Sequence, residues 1–147
     1  MAKAIKVSSA QRKHALERIT RIAKEFETHI ESYEDWQSAV EVIREVITRN
    51  IGDGEFLAFY DLSSLALVHS NRLREGICFN HGVGLNAARS TVPIAQVYHR
   101  DTGETLLDAA CPIYFRGKQL SILELESPFR QVHCLGKFYW GSCPLLY

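Results

Sequence analysis

No Cys-x-x-Cys pair, no dinucleotide fingerprint and no excess of charge of either sign is present in this chain. Its four cysteines, Cys78, Cys111, Cys134 and Cys143, stand at no zinc-finger or haem-attachment spacing, so neither site is encoded locally and no metal site is expected. The "GVG" at 82–84 lacks the third glycine and the downstream acid that a dinucleotide loop needs. Lys and Arg number 17 against 17 Asp and Glu, which leaves no global field to hold a nucleic acid or an anionic membrane. Charge interrupts every apolar run long before membrane-spanning length. The opening "MAKAIKVSSAQRKHALERITRIAKEF" has neither an uninterrupted apolar stretch nor a small-residue cleavage site. Together these absences predict no membrane segment, a cytoplasmic location and cysteines kept reduced.

What is present suffices for one domain: 147 residues, 46% of them hydrophobic, can bury a core without metal or disulfides. From Ala15, residues Leu16, Ile19, Ile22, Ala23, Phe26 and Ile30 recur at three- and four-residue steps, an amphipathic helix. A second begins in "SYEDWQSAVEVIREVITRN", where Ser32 and Asp35 read as an N-cap pair and Gly52 and Gly54 as the stop. Beyond 54 the period changes to that of strands, expected near 55–61, 65–70, 94–100, 104–115 and 119–126, with a short helix in "GVGLNAARSTVP". The fold class is therefore α+β: a five-stranded antiparallel sheet with N-terminal helices on one face and a pocket between sheet and helices. The chain divides into helices at 1–54 for dimerisation and signalling, a sheet domain at 55–127, and an aromatic-rich tail at 128–147 with no assigned role. The apolar stripe of the first helix exceeds what one small sheet covers, which predicts a homodimer built on Leu16 to Ile30.

The order of motifs in the sheet region carries a resemblance. "VHSN" at 68–71, Gly76, a "TGE" turn at 102–104, Asp108 followed by Pro112 and Ile113, and Gly117-Lys118 succeed one another over roughly 55–126. This succession resembles the sensor module of bacterial methyl-accepting chemotaxis proteins of the Cache/PAS-like superfamily. The resemblance implies a PAS/Cache-like fold and a ligand-binding sensory domain of a chemotaxis-type signal-transduction receptor, one that binds a small molecule and reports to a downstream signalling domain or protein. Two departures stand out: no transmembrane segment accompanies the module, and no output helix is recognisable after 127.

Candidate ligand contacts follow from strand alternation. Arg72 and Arg74, two apart, would point the same way in an extended segment and could fork a carboxylate. Gln96, Tyr98 and Arg100 share one face of their strand, and Asp108 shares a face with Ala110, Pro112 and Tyr114, a half-buried carboxylate in need of a partner. These six residues predict a site for a small carboxylate-bearing ligand, with Asp108 pairing an amine or an arginine. No cofactor is specified. The alternatives are a haem-based gas or redox sensor with His69, His81 or His99 as axial ligand, and an enzyme pairing Cys111 with His69 or His99, although no nucleophile elbow or oxyanion loop accompanies them.

Overall fold

Helix α1, Ser9–Ile30, begins well before the apolar stripe because Ser8 and Gln11 form a capping box: Ser8 Oγ accepts the Gln11 N–H at 3.1 Å, and Gln11 Oε1 accepts the Ser8 N–H at 2.9 Å. The computed structural model describes residues 6–79, 86–87, 89–100 and 102–128. Helix α2, Val40–Asn50, follows a 3-10 turn at Gln37–Ala39. Asp35 supports that turn, its Oδ1 accepting both the N–H and the Oγ–H of Ser38 at 2.8 Å. Ser32 instead donates to the His29 carbonyl at the end of α1, so Asp35 and not Ser32 starts the second helical segment.

Five strands follow: β1, Phe56–Tyr60; β2, Ala66–His69; β3, Ile94–His99; β4, Thr105–Phe115; and β5, Lys118–Pro128. They form one five-stranded antiparallel sheet, as expected from the sequence, in the order β2-β1-β5-β4-β3. Arg116 and Gly117 close the β4–β5 hairpin with φ of 50° and 79°. Positive φ at both central residues is the type I′ geometry that matches strand twist, and glycine takes the second position without strain. Of the helix expected in "GVGLNAARSTVP", residues 82–85 and 88 lie outside the described residues; Asn86 and Ala87 are helical, and 89–93 are not.

Alternation along the strands sorts the sheet into two unlike faces. One carries Leu57, Phe59, Val68, Ala109, Leu123 and Leu125, and on it lie α1 and α2. The Phe59 ring stacks on Phe26 of α1 at 6.0 Å and meets Trp36 at 5.8 Å. Burying each such large side chain contributes about 1.5–3 kcal/mol, so this layer dominates the stability of the fold. Ile19, Ile22, Phe26 and Ile30 are buried against the sheet of the same chain. The stripe on which a homodimer was expected is thus already covered, because the sheet is wide enough to take both helices.

Between the start of α1 and this face remains a cavity of about 280 Å³, with Leu107, Ala109 and Leu125 as floor and His14, Arg18 and Glu55 at its edge. None of the predicted ligand contacts lines it. They belong to the opposite face, or to the loops flanking it.

Candidate functional site

The face turned away from α1 and α2 is polar at its centre, and register explains why. Across the sheet, Phe56, Glu126, Asp108 and Gln96 form one row, and His69, Ala58, Glu124, Ala110 and Ile94 the next. Glu124 and Glu126 alternate with Leu123 and Leu125 along β5, so the central strand puts its leucines in the core and both carboxylates on this side. Asp108, on β4, is the cross-strand partner of Glu126. The three acids are buried, with exposures of 0%, 2% and 5% for Asp108, Glu124 and Glu126. One carboxylate oxygen from each comes within 4.8 Å of the other two.

Burial, then the Glu126 charge, pushes the Asp108 carboxyl up to about 8. Burial, then the charges of Asp108 and Glu126, holds Glu124 well above the usual carboxylate range. Arg100 donates to Glu126 Oε2 at 2.5 Å and to Glu104 Oε2 at 3.0 Å. Both oxygens of Asp108 are buried without a hydrogen-bond partner among the described residues.

Aromatic rings form the wall on the β1–β2 side. Phe56, His69, Phe79 and Tyr60 follow one another with centroid separations of 5.8, 6.2 and 5.9 Å. His69 Nδ1 accepts the Asn71 N–H at 2.9 Å, so the neutral ring carries its proton on Nε2, which is buried and unpartnered among the described residues. Burial, and secondarily Arg74, lowers the pKa of His69 to about 4, leaving the ring neutral at ordinary pH. Burial and the three acids raise the Tyr60 phenol, which stays protonated.

The predicted contacts separate on this frame. Asp108 lies at the centre and Gln96 directly beside it on β3, where Gln96 Oε1 also accepts from Asn86 Nδ2 at 3.4 Å. Tyr98 shares the face one register step outward, opposite Leu106. Arg100 reaches the triad through Glu126, and its guanidinium lies 5.5 Å from the Phe56 ring centre. Arg72 and Arg74 do not act as a fork: they occupy a 3-10 turn, Arg72–Arg74, in which residues two apart diverge. Arg74 lies over Phe56 at 4.4 Å, whereas Arg72 is exposed beside Arg44 and Thr48 of α2. The turn is fixed by Glu75, whose carboxylate takes Arg44 at 2.5 and 2.9 Å and accepts the His69 N–H at 3.1 Å.

The sequence reading missed Glu124 and Glu126. Their i, i+2 spacing with intervening leucines was a usable signal, but glutamate on an alternating strand ordinarily faces water, and only the pairing of β5 with both β1 and β4 buries them.

The alternatives find little here. His99 is exposed on the helix-side face while His69 is buried on the other, and His81 lies outside the described residues, so haem gains no support. Cys111 faces the helices, its thiol donating to the Pro112 carbonyl at 3.5 Å and raised to about 11 by burial, the reverse of an activated nucleophile.

A metal ion is the first guest to test against three clustered acids. Hard divalent cations collect about six to eight oxygens, commonly with main-chain carbonyls among them. On a sheet face those carbonyls are tied into the ladder, and Arg100 already occupies Glu126. A protonated amine fits better. Three acceptors each about 2.8 Å from one tetrahedral nitrogen lie about 4.6 Å apart, inside the 4.8 Å within which the triad oxygens gather.

No protein-family model matches the chain, and no curated protein does either. Solved structures do. The sensor domain of E. coli DcuS superposes with a TM-score of 0.55 at 17% identity, over 78% of this chain and 89% of that one. The sensory domain of the Campylobacter jejuni chemoreceptor Tlp3 gives 0.64 at 10% identity, over 79% of this chain and 52% of that one, so the present chain spans about half its length. The ligand-binding domain of the Pseudomonas aeruginosa amino acid chemoreceptor PctC, in complex with GABA, gives 0.53 at 13% identity, over 79% and 58%. The fold of this chain is accordingly the Cache/PAS-like fold shared by chemoreceptor sensor domains.

Proposed function

We propose that the chain is the ligand-capturing domain of a chemotaxis-type receptor, and that it takes a small molecule bearing a protonated amine on the sheet face turned away from α1 and α2. The observation that carries this reading is Asp108: fully buried, within reach of two further carboxylates, and with neither oxygen bonded among the described residues. A buried carboxylate in that state costs several kcal/mol unless a donor or a proton reaches it. An ammonium supplies charge and donors together. Arg74, over Phe56 at the rim, suits a carboxylate on the same molecule, which makes an amino acid the ligand class that satisfies both ends. The ligands held by the similar structures belong to that class: isoleucine or L-valine in Tlp3, GABA in PctC.

Output would run through the helices. Ser127, one residue beyond Glu126 and on the other face, donates to Glu55 at 2.5 Å, and Glu55 accepts from Arg18 of α1 at 2.6 and 2.7 Å. A ligand that moves β5 therefore pulls on α1, which a downstream signalling domain could read.

The test is calorimetry against amino acids, simple amines and dicarboxylates. Amine-bearing compounds should bind, and Asp108→Asn should weaken them by about ten- to a hundredfold, the worth of one charge-assisted hydrogen bond. Equal binding of dicarboxylates that lack an amine would contradict the reading.

A further inference from the structure

Resting on the amine-capture reading above, we propose that the Asp108–Glu124–Glu126 triad exchanges a proton for the incoming ammonium: without ligand it holds at least one proton through neutral pH, and capture releases that proton to solvent. The three acids are crowded. Three carboxylates with exposures of 0%, 2% and 5% bring oxygens within 4.8 Å of one another, on a face whose backbone polar groups are engaged in the ladder. Like charges so close, and so far from water, do not all ionise together.

Among the described residues, the surrounding charges leave Asp108 unrelieved. From the loop after β3, Arg100 is divided between Glu126 and Glu104. From the turn after β2, Arg74 stands over Phe56, and Glu75 beside it is held by Arg44 of α2. From β2, His69 is neutral and presents a single N–H; from β1, Tyr60 keeps its phenolic proton. Asp108, with no partner among the described residues, is the place where a proton substitutes for one. The direction of the shifts at Asp108 and Glu124 agrees with the geometry.

The exchange balances. An ammonium enters with its three protons and one positive charge, the carboxylic acid gives its proton to water, and the net charge of the buried site stays the same. Capture is then tighter at higher pH, by up to about tenfold per pH unit below the triad's own titration, and weaker as the medium acidifies. A receptor so built would report amine and acidity together.

Two measurements decide it. Carbon NMR of protein labelled at its Asp and Glu carboxyls reads the ligand-free triad directly: a carboxyl titrating above neutral pH, and missing in Asp108→Asn or Glu124→Gln, is expected. Ordinary carboxylate titration of every acid in the protein overturns the proposal, whether or not amines bind. Calorimetry with L-valine and n-butylamine, in phosphate and in Tris, then counts protons released on binding. Release near one per site and affinity rising with pH is expected; binding of either probe without proton release overturns the exchange. Failure of both probes to bind at any pH, beside a carboxyl that still titrates high, overturns the capture reading and with it the exchange, leaving only the proton-holding half standing.

Discussion

Asp108 and Glu126 stand directly opposite each other on β4 and β5, two carboxylates on one side of the sheet, with Arg100 bonded to Glu126 and no described residue bonded to Asp108. Like charges in a cross-strand pair destabilise a sheet, and burial enlarges the effect. The pair therefore marks a place where the fold gives up stability, as the proposed ligand site requires.

Stability should respond to pH accordingly. Asp108 has a folded-state pKa raised from 3.8 to about 8, so the folded protein binds the proton more tightly than the unfolded chain does. Between those values the native state holds more protons, and stability falls as pH rises, complete below the unfolded value and lost through the folded one. Thermal unfolding of ligand-free protein from about pH 5 to about pH 9 should show a declining midpoint, and Asp108→Asn should flatten the decline. A midpoint that climbs over the same range would count against a buried triad.

The apolar stripe of α1 gives a second prediction. Ile19 and Ile22 are fully buried under the sheet, so Ile19→Glu with Ile22→Glu places two charges in the core and should cost more than about 4 kcal/mol. Circular dichroism should show loss of the fold. A well-folded monomer, with the wild type sedimenting as a dimer, would instead place the stripe at an interface between chains.

Glu75 offers a third. It joins Arg44 of α2 to the turn that carries Arg74, with both partners of the ion pair partly buried. Glu75→Gln should cost about 1–3 kcal/mol in urea unfolding and weaken ligands that carry a carboxylate more than simple amines, because Arg74 loses its support. Glu41→Gln, at an exposed contact 4.0 Å from the same arginine, should change stability by less than about 0.5 kcal/mol. Equal effects from the two substitutions would show that the Glu75 link does not position the turn.

Much of this architecture was legible in the residues. Strand alternation located all five strands, and the Thr102-Gly103 and Arg116-Gly117 turns fixed β3–β4 and β4–β5 as hairpins. The capping box at Ser8 and Gln11 went unread because it precedes the apolar stripe, where periodicity has nothing to report. Arg72 and Arg74 were misplaced for a local reason: Asn71, whose side chain accepts the Leu73 N–H at 3.1 Å, turns the chain out of the extended form. The triad was half visible. Asp108 stands out as a carboxylate among apolar neighbours, but Glu124 and Glu126 become its companions only through β5 lying between β1 and β4, a long-range pairing that no local pattern announces.

Capture through Asp108 requires that the ligand be received on the sheet face turned away from α1 and α2. Titrating L-valine or n-butylamine into isotope-labelled protein, and mapping amide and carboxyl shifts, tests this directly. The predicted result is perturbation centred on Asp108, Glu124 and Glu126 with their row-mates Gln96 and Phe56, spreading to Arg74. Perturbations confined to the α1 side of the sheet, around His14, Arg18 and Leu107, would contradict it.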